Sequence, residues 1–172
     1  LLLRPGELRF AAWEEFDLNA ATWTVPAMRM KREKAGKLNG QPHIVALPTQ
    51  AVAILRDLHF LTGRSPYVFR GERHHHRAMS ENTVNAALRA MGFPGDEVTG
   101  HGFRATARTM LAERLGLPIE VVEAQFAHSV KDSLGRAYNR TEYLKQRRQM
   151  LQTWADYLDH LRDGVHTASE KG

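Results

Sequence analysis

The sequence predicts an α+β fold that is mostly helical and carries a small antiparallel sheet. Strand-like segments around Ala11–Phe16 and Thr22–Val25 are followed by a third at His43–Leu47, and helical apolar spacing takes over from Thr49. The regular strand–helix alternation typical of a parallel sheet is absent from the pattern. The 172 residues, of which 42% are apolar, are enough for one domain with a hydrophobic core.

The first part of the chain alternates short elements with turns. Leu1–Leu8 is expected to be the end of an apolar helix that bears Arg4 and Glu7. Because the chain starts without Met inside this stretch, we expect a further part upstream. An Asp17–Asn19 turn separates the first two strands. The basic segment Met30–Gln41 contains two glycines, which predicts a mobile hairpin tip before the third strand.

The second part of the chain is predicted to be helical. Five helices are expected: one from Thr49 to a stop at Gly63, one from an N-cap at Ser80 to Gly92, and then Gly102–Leu115, Pro118–Phe126 and Glu142–Arg162. The last helix has an apolar side, which fits docking on another protomer or ordinary packing in the core. The domain is therefore placed at residues 1–162, with a disordered tail at Asp163–Gly172.

Composition limits the classes of function. No apolar run approaches the length that spans a bilayer, so no membrane partner is expected and the cytoplasm is the expected location. The absence of Cys excludes disulfides and thiolate chemistry. The net charge of +5, from 24 Lys and Arg against 19 Asp and Glu, fits a polyanionic partner such as DNA.

The residues with the most chemistry lie in the stretch that opens at His101. His101 and Arg104 begin an apolar-periodic segment, and their three-residue spacing places both side chains on one helical face. A second imidazole follows at His128 and a hydroxyl at Tyr138. Together with Arg4, near the start of the chain, these groups are suited to attack on a phosphodiester.

Taken in order, the segments RPGEL, HGFRATA, FAHS and RAYNR resemble the catalytic-domain motifs of tyrosine recombinases of the phage-integrase type. The resemblance runs from Arg4 to about Leu158. One position departs from it, because the family often has Gly before its second His and this sequence has Ala127. The resemblance implies an enzyme, a site-specific DNA recombinase that cuts and rejoins strands through a 3′-phosphotyrosine intermediate without a metal or other cofactor.

The resemblance also implies a role for each motif residue. Tyr138 is the expected nucleophile, Arg4 and Arg104 form the phosphate clamp, and His101 moves the nucleophile's proton. His128 is expected to donate a hydrogen bond to a non-bridging phosphate oxygen. Double-stranded DNA is the implied partner, and self-association on DNA is expected through the C-terminal helix.

Two further residues complete the predicted site. Glu7 is expected to orient Arg4 and the neighbouring base, although its spacing also fits a plain ion pair on one helical face. In the resembled family a hairpin lysine protonates the leaving oxygen, and Lys31, Lys34 and Lys37 are available here. Lys31 is preferred because it directly follows a strand, and a general acid must be held in place.

The residues also fit several competing hypotheses. Tyr143 lies five residues after Tyr138 and competes with it as the nucleophile. The run His74–His76 invites a metal site, but consecutive histidines cannot all reach one ion, so a polar loop is favoured. A metal-dependent nuclease would need a carboxylate cluster, which the pattern lacks. The motifs are also compatible with a non-catalytic DNA-binding fragment and with a type IB topoisomerase-like enzyme.

Overall fold

The computed structural model describes residues 1–31, 40–127 and 143–169, with side chains described as far as residue 164. The helices are α1 Pro5–Arg9, α2 Thr49–Thr62, α3 Thr83–Ala90, α4 Gly102–Thr109, α5 Ile119–Gln125 and α6 Leu144–Ser169. The strands are β1 Phe16–Asp17, β2 Thr22–Val25 and β3 His43–Ala46. The predicted class, α+β with more helix than sheet, is confirmed.

The three strands form one antiparallel sheet in the order β1-β2-β3. Trp23 pairs with Phe16 on one side and with Val45 on the other. The predicted turn between β1 and β2 is present, because the Asp17 carboxylate accepts hydrogen bonds from the backbone N–H groups of Asn19 at 3.0 Å and Ala20 at 2.8 Å. This local bonding is the reason that Asp favours such turns.

The core lies between the inner face of this sheet and the helices. Among its fully buried members are Trp23, Val45, Val122, Met150 and Leu151, which come from β2, β3, α5 and α6. Helix α6 packs against both β3 and α5. The long C-terminal helix is therefore part of the domain core over its first turns, which agrees with the interpretation that it packs in the core.

The start of the chain differs from the predicted helix. Helix α1 begins only at Pro5, and Leu2 has a positive φ of 62° that a helix does not allow. Proline is favoured in the first helical turn, where its missing N–H is not needed. The first predicted strand is also shorter, since Trp13–Glu15 forms a 3₁₀ turn and only Phe16–Asp17 joins the sheet.

Several helix ends also differ from their predicted positions. Helix α3 begins at Thr83, because the residues after Ser80 form a separate turn in which the Thr83 N–H donates to the Ser80 carbonyl at 3.2 Å. Helix α4 continues as a π-helical turn over Met110–Arg114. Helix α6 extends to Ser169, so the part of the predicted disordered tail that the structure describes is helical. None of the helices in the described ranges is both long and apolar enough to cross a membrane.

Candidate active site

Arg4 and Glu7 are fixed to each other at the start of α1. Arg4 is the N-cap residue, and its backbone N–H donates to Glu7 Oε2 at 3.0 Å. Its guanidinium Nη1 donates to Glu7 Oε1, also at 3.0 Å. The Glu7 side chain is 4% exposed, whereas that of Arg4 is 23% exposed. The carboxylate is thus a buried support, and the guanidinium it holds remains open to a ligand.

Glu7 also reaches the residue that was expected to be the general acid. The backbone N–H of Lys31 donates to Glu7 Oε1 at 3.2 Å, across 24 positions of the chain. Met30, directly before it, is buried in the core. The burial of Met30 and the hydrogen bond of the Lys31 N–H therefore hold the backbone at this point, while the Lys31 side chain is exposed.

Arg104 lies on the first turns of α4 and is 6% exposed. Its guanidinium donates to the carbonyl of Leu2 and, at 2.5 Å, to that of Phe126. The Phe126 ring lies under the same guanidinium, with 4.3 Å between Arg104 Cζ and the ring centroid. Burial and the nearby Arg4 cation lower the pKa of Arg104 to about 10, against opposing effects of Glu7 and Glu123. Arg104 therefore stays charged at neutral pH.

His101 occupies the N-cap position of α4 and is exposed. The turn before it is held by side chains, since Asn85 Oδ1 accepts from the Gly100 N–H at 2.9 Å. The Thr99 hydroxyl accepts from the Gly102 N–H at 3.0 Å. The imidazole thus stands at a fixed helix start, one turn from Arg104, as the three-residue spacing predicted.

These side chains line one pocket of about 330 Å³. Its lining residues are Arg4, Lys31, His101, Arg104, Ala105, Arg108 and Phe126. Four of the seven are arginine or lysine, and parts of the chain that are far apart in sequence supply them. Arginine forks and a lysine ammonium that face one cavity are suited to a phosphate group.

A larger cavity, of about 860 Å³, lies between α2 and the loop that contains His74 and His75. Neither Arg4 nor Arg104 lines this cavity, so it is separate from the smaller pocket described above. The three histidines His74–His76 are exposed. Within the described ranges, no group of three or more His, Cys, Asp or Glu residues is arranged to hold a metal ion.

Four of the predicted site residues lie outside the described residues. These are His128, Tyr138, Lys34 and Lys37. Tyr143, the competing nucleophile, is described: its φ is 64°, its carbonyl accepts from the Arg147 N–H at 2.7 Å, and its side chain is partly buried against the core. Packing of this kind favours a structural role for Tyr143.

Two features of the site were absent from the sequence interpretation. Arg108 lies one helical turn after Arg104 and pairs with Glu123, with 2.6 Å between Nε and Oε1. Its four-residue spacing from Arg104 is a signal that could have revealed it. Phe126 supplies both a ring and a carbonyl to Arg104, and its apolar side chain gave no indication of this contact.

Comparison with known sequences gives consistent matches. The profile described as the phage integrase family matches residues 1–145. The integrase of Enterobacteria phage P4 is 42% identical over 164 residues, covering 91% of this chain and 37% of that protein. The prophage integrase IntA of Escherichia coli is 41% identical over 157 residues, covering 91% of this chain and 36% of that protein. The chain thus spans well under half the length of these relatives.

Comparison with solved structures supports the fold. The crystal structure of XerA recombinase matches with a TM-score of 0.58 and 21% sequence identity, covering 85% of this chain and 54% of that chain. A match at this identity is evidence for a shared arrangement of helices and strands.

Proposed function

Because this chain belongs to the phage integrase family, we propose that it forms the catalytic part of a site-specific DNA recombinase that cuts and rejoins DNA strands through Tyr138. One observation carries the proposal. Arg4, Lys31, His101 and Arg104 come from three separate parts of the chain and line one cationic pocket. A phosphodiester is the group in DNA that such a pocket would bind.

The clamp in this mechanism consists of Arg4 and Arg104. A phosphodiester gains negative charge on its non-bridging oxygens as the nucleophile approaches, and preorganised donors stabilise that charge. Arg4 is held by Glu7, and Arg104 is held by two backbone carbonyls. Both guanidinium groups are therefore in position before the substrate binds, which lowers the reorganisation that the reaction requires.

The covalent steps balance without a cofactor. The Tyr138 oxygen forms a bond to phosphorus while His101 accepts the phenolic proton, and the bond from phosphorus to the 5′-oxygen breaks. Lys31 gives its proton to that departing oxygen, and His128 donates to a non-bridging oxygen. The 5′-hydroxyl of a partner strand then attacks the phosphotyrosine and releases Tyr138, which joins the strands.

Lys31 is favoured as the acid by the way its backbone is held. The hydrogen bond from its N–H to Glu7 links the acid and the Arg4 clamp to one buried carboxylate. A general acid works best when its position is fixed relative to the phosphate. This link supports Lys31 over Lys34 and Lys37.

Double-stranded DNA is the proposed partner, and the cytoplasm is the expected place of action. We further propose that copies of the protein associate on DNA through the distal turns of α6. Its first turns are buried in the chain's own core at Met150 and Leu151. Further along, Leu158 is 45% exposed and Leu161 is 39% exposed, which leaves apolar surface for a neighbouring copy.

Covalent capture tests the proposed function. Nicked duplexes with a randomised sequence around the nick are incubated with the protein in EDTA, and DNA that remains attached to denatured protein is sequenced and resynthesised. We expect a covalent adduct between protein and DNA. A protease should digest the protein and leave a short peptide linked to the 3′-phosphate. DNA that binds the protein without any adduct would instead indicate a non-catalytic binding module, and relaxation of supercoiled plasmid without site preference would indicate a topoisomerase.

A further inference from the structure

A buried arginine lies outside the pocket and has no part in the proposed chemistry. Arg147, on the first turn of α6, has 0% exposure. Its Nε donates to Gln125 Oε1 at 3.0 Å, and its Nη2 donates to the Ile44 carbonyl of β3. Burial lowers the pKa of Arg147 to about 10, so the side chain remains a cation at neutral pH.

Gln125 is the last residue of α5 and is also fully buried. Its side-chain Nε2 donates to the Leu1 carbonyl at 3.0 Å. Its own carbonyl lies 3.2 Å from His43 Nε2, which therefore donates to it. The next residue, Phe126, accepts from Arg104. The end of α5 is thus joined to β3, to the start of the chain, to α6 and to the catalytic pocket.

The bond between Arg147 and Gln125 joins the two ends of one chain segment. The sequence between Gln125 and Arg147 contains both His128 and Tyr138. We infer that the Arg147–Gln125 pair is a positioning device that fixes the base of the segment bearing the nucleophile. The inference rests on the proposed function, because it assigns Tyr138 the role given above.

The physical chemistry of the pair favours positioning over stability. A buried ionic group is weak evidence for stability, because its loss of hydration offsets the hydrogen bonds that it gains. The planar guanidinium, however, fixes the directions of its donors, so Arg147 sets the angle between α6, α5 and β3. A displacement of about 1 Å at a reacting group can slow a reaction by about 100-fold.

The test uses Arg147→Met, which keeps most of the side-chain volume but removes the donors. Arg148→Met is the matched control, since Arg148 is exposed and only reaches the carbonyls of Ala20 and Ala21 at 3.2 and 3.4 Å. Single-turnover adduct formation is measured at saturating protein on a captured nicked duplex. We expect about ten- to hundredfold slower formation in Arg147→Met, with unchanged DNA affinity and a normal rate in Arg148→Met.

A second reaction separates positioning from general damage to the pocket. In a Tyr138→Phe background, hydrogen peroxide can serve as the nucleophile. One peroxide oxygen loses its proton and bonds to phosphorus, the bond from phosphorus to the 5′-oxygen breaks, and the 5′-oxygen takes up a proton. Peroxide replaces only the Tyr138 hydroxyl, and His128 on the same segment still serves this reaction, so Arg147→Met should slow peroxide cleavage clearly less than it slows adduct formation. An equal fall in both reactions, or normal adduct formation in Arg147→Met, overturns the inference.

Gln125→Met provides a second route if Arg147→Met fails to fold. It should slow adduct formation more than peroxide cleavage. The double variant should be slowed by less than the product of the two single effects, because each single variant removes the same Arg147–Gln125 bond as well as a separate bond to Ile44 or to Leu1. Additive losses in the double variant would contradict the pairing. If the unaltered protein forms no adduct with any duplex in the pool, the proposed function fails first. If the unaltered protein forms the adduct and the variants form it at the same rate, only the positioning role is refuted.

Discussion

Glu7 accepts a hydrogen bond from the backbone N–H of Lys31 at 3.2 Å with the same oxygen that accepts from Arg4 Nη1 at 3.0 Å. One buried carboxylate oxygen therefore holds both the guanidinium of Arg4, a proposed phosphate ligand, and the backbone of Lys31, the proposed general acid. From the sequence, Glu7 was expected to orient Arg4 and the neighbouring base, or to form a plain ion pair with Arg4. The structure adds the backbone of the lysine.

Glu7→Gln is expected to slow strand cleavage with little change in fold. Three N–H donors converge on the carboxylate, and an amide would place an NH₂ group against one of them. An unsatisfied buried donor costs about 1–3 kcal/mol, which corresponds to about five- to 150-fold in the cleavage rate if the loss falls on the transition state. Single-turnover cleavage measures it, with the exposed Glu14→Gln as control. If both variants cleave DNA at the same rate, Glu7 has no role in the site.

Ala127 has a φ of 52°, directly after the end of α5. Residues with a Cβ are strained in this region by about 1–2 kcal/mol, and glycine is not. Ala127→Gly should therefore raise the free energy of unfolding by up to about 1 kcal/mol, after allowance for the extra backbone entropy of glycine. Urea unfolding is the measurement.

Ala124→Gly is the control for that substitution. Ala124 lies inside α5, where glycine should instead lower the free energy of unfolding by about 1 kcal/mol. The two glycines are three positions apart, so opposite signs would isolate the backbone conformation as the cause. A loss of stability in both variants would show that Ala127 is not strained.

The departure at Ala127 illustrates what the sequence could predict. The motif identified the position where a Gly is common, and the structure shows why: the chain needs a left-handed residue there to leave α5. Helix α2 was likewise predicted to within one residue, because apolar spacing and Gly63 mark both its face and its end. The start of the chain was predicted less well, since the Leu run indicates a helix while Leu2 and Pro5 set the backbone.

The site residues also divide into those that the sequence revealed and those that only the structure revealed. Arg4, His101 and Arg104 were found because short motifs name them, and the structure brings them to one pocket with Lys31. The contact between Arg147 and Gln125 joins residues 22 positions apart and is created only by the packing of α6 on α5. In the sequence, Arg147 stands in a polar run with Arg148, and nothing in that run marks one as buried and the other as exposed.

Tyr138→Phe is expected to abolish the covalent adduct while leaving the fold and DNA affinity nearly intact. Phenylalanine keeps the ring and removes the hydroxyl that is proposed to attack phosphorus. Tyr143→Phe should retain the adduct, because the partly buried Tyr143 side chain packs against the core at the start of α6. Adducts are counted on denaturing gels. Survival of the adduct in Tyr138→Phe with loss in Tyr143→Phe would reassign the nucleophile.

DNA binding by this chain should be weak and strongly dependent on salt. The proposed contacts of the pocket are mainly with phosphate, and each such contact adds about −0.9 to the slope of log affinity against log salt. Arg108 lines the pocket, so Arg108→Gln should make the slope shallower by about one unit. Arg162→Gln is the control, since Arg162 lies on distal α6 among Asp159 and Asp163. Tight binding to one sequence that resists salt would show base-specific recognition within this chain.

The final prediction concerns the leaving group. The departing 5′-oxygen is a poor leaving group unless it is protonated, so Lys31→Ala should slow cleavage of ordinary DNA by about 100-fold or more. Sulfur in place of the bridging 5′-oxygen leaves as a thiolate without a proton. On that substrate Lys31→Ala should cleave at nearly the normal rate. Lys145→Ala, an exposed lysine on α6, is the control and should behave normally on both substrates.

The sulfur substrate also distinguishes an acid from a residue that only binds DNA. If Lys31 merely attracted the phosphate, Lys31→Ala would be slow on both substrates by the same factor, and more DNA would restore the rate. If Lys34 or Lys37 were the acid, the rescue would appear in that lysine's alanine variant and not in Lys31→Ala. The hydrogen bond between Glu7 and Lys31 leads to one further expectation. The sulfur substrate should partly restore the cleavage rate of Glu7→Gln, because that variant loosens Lys31. The restoration should be incomplete, because the same variant also loosens Arg4.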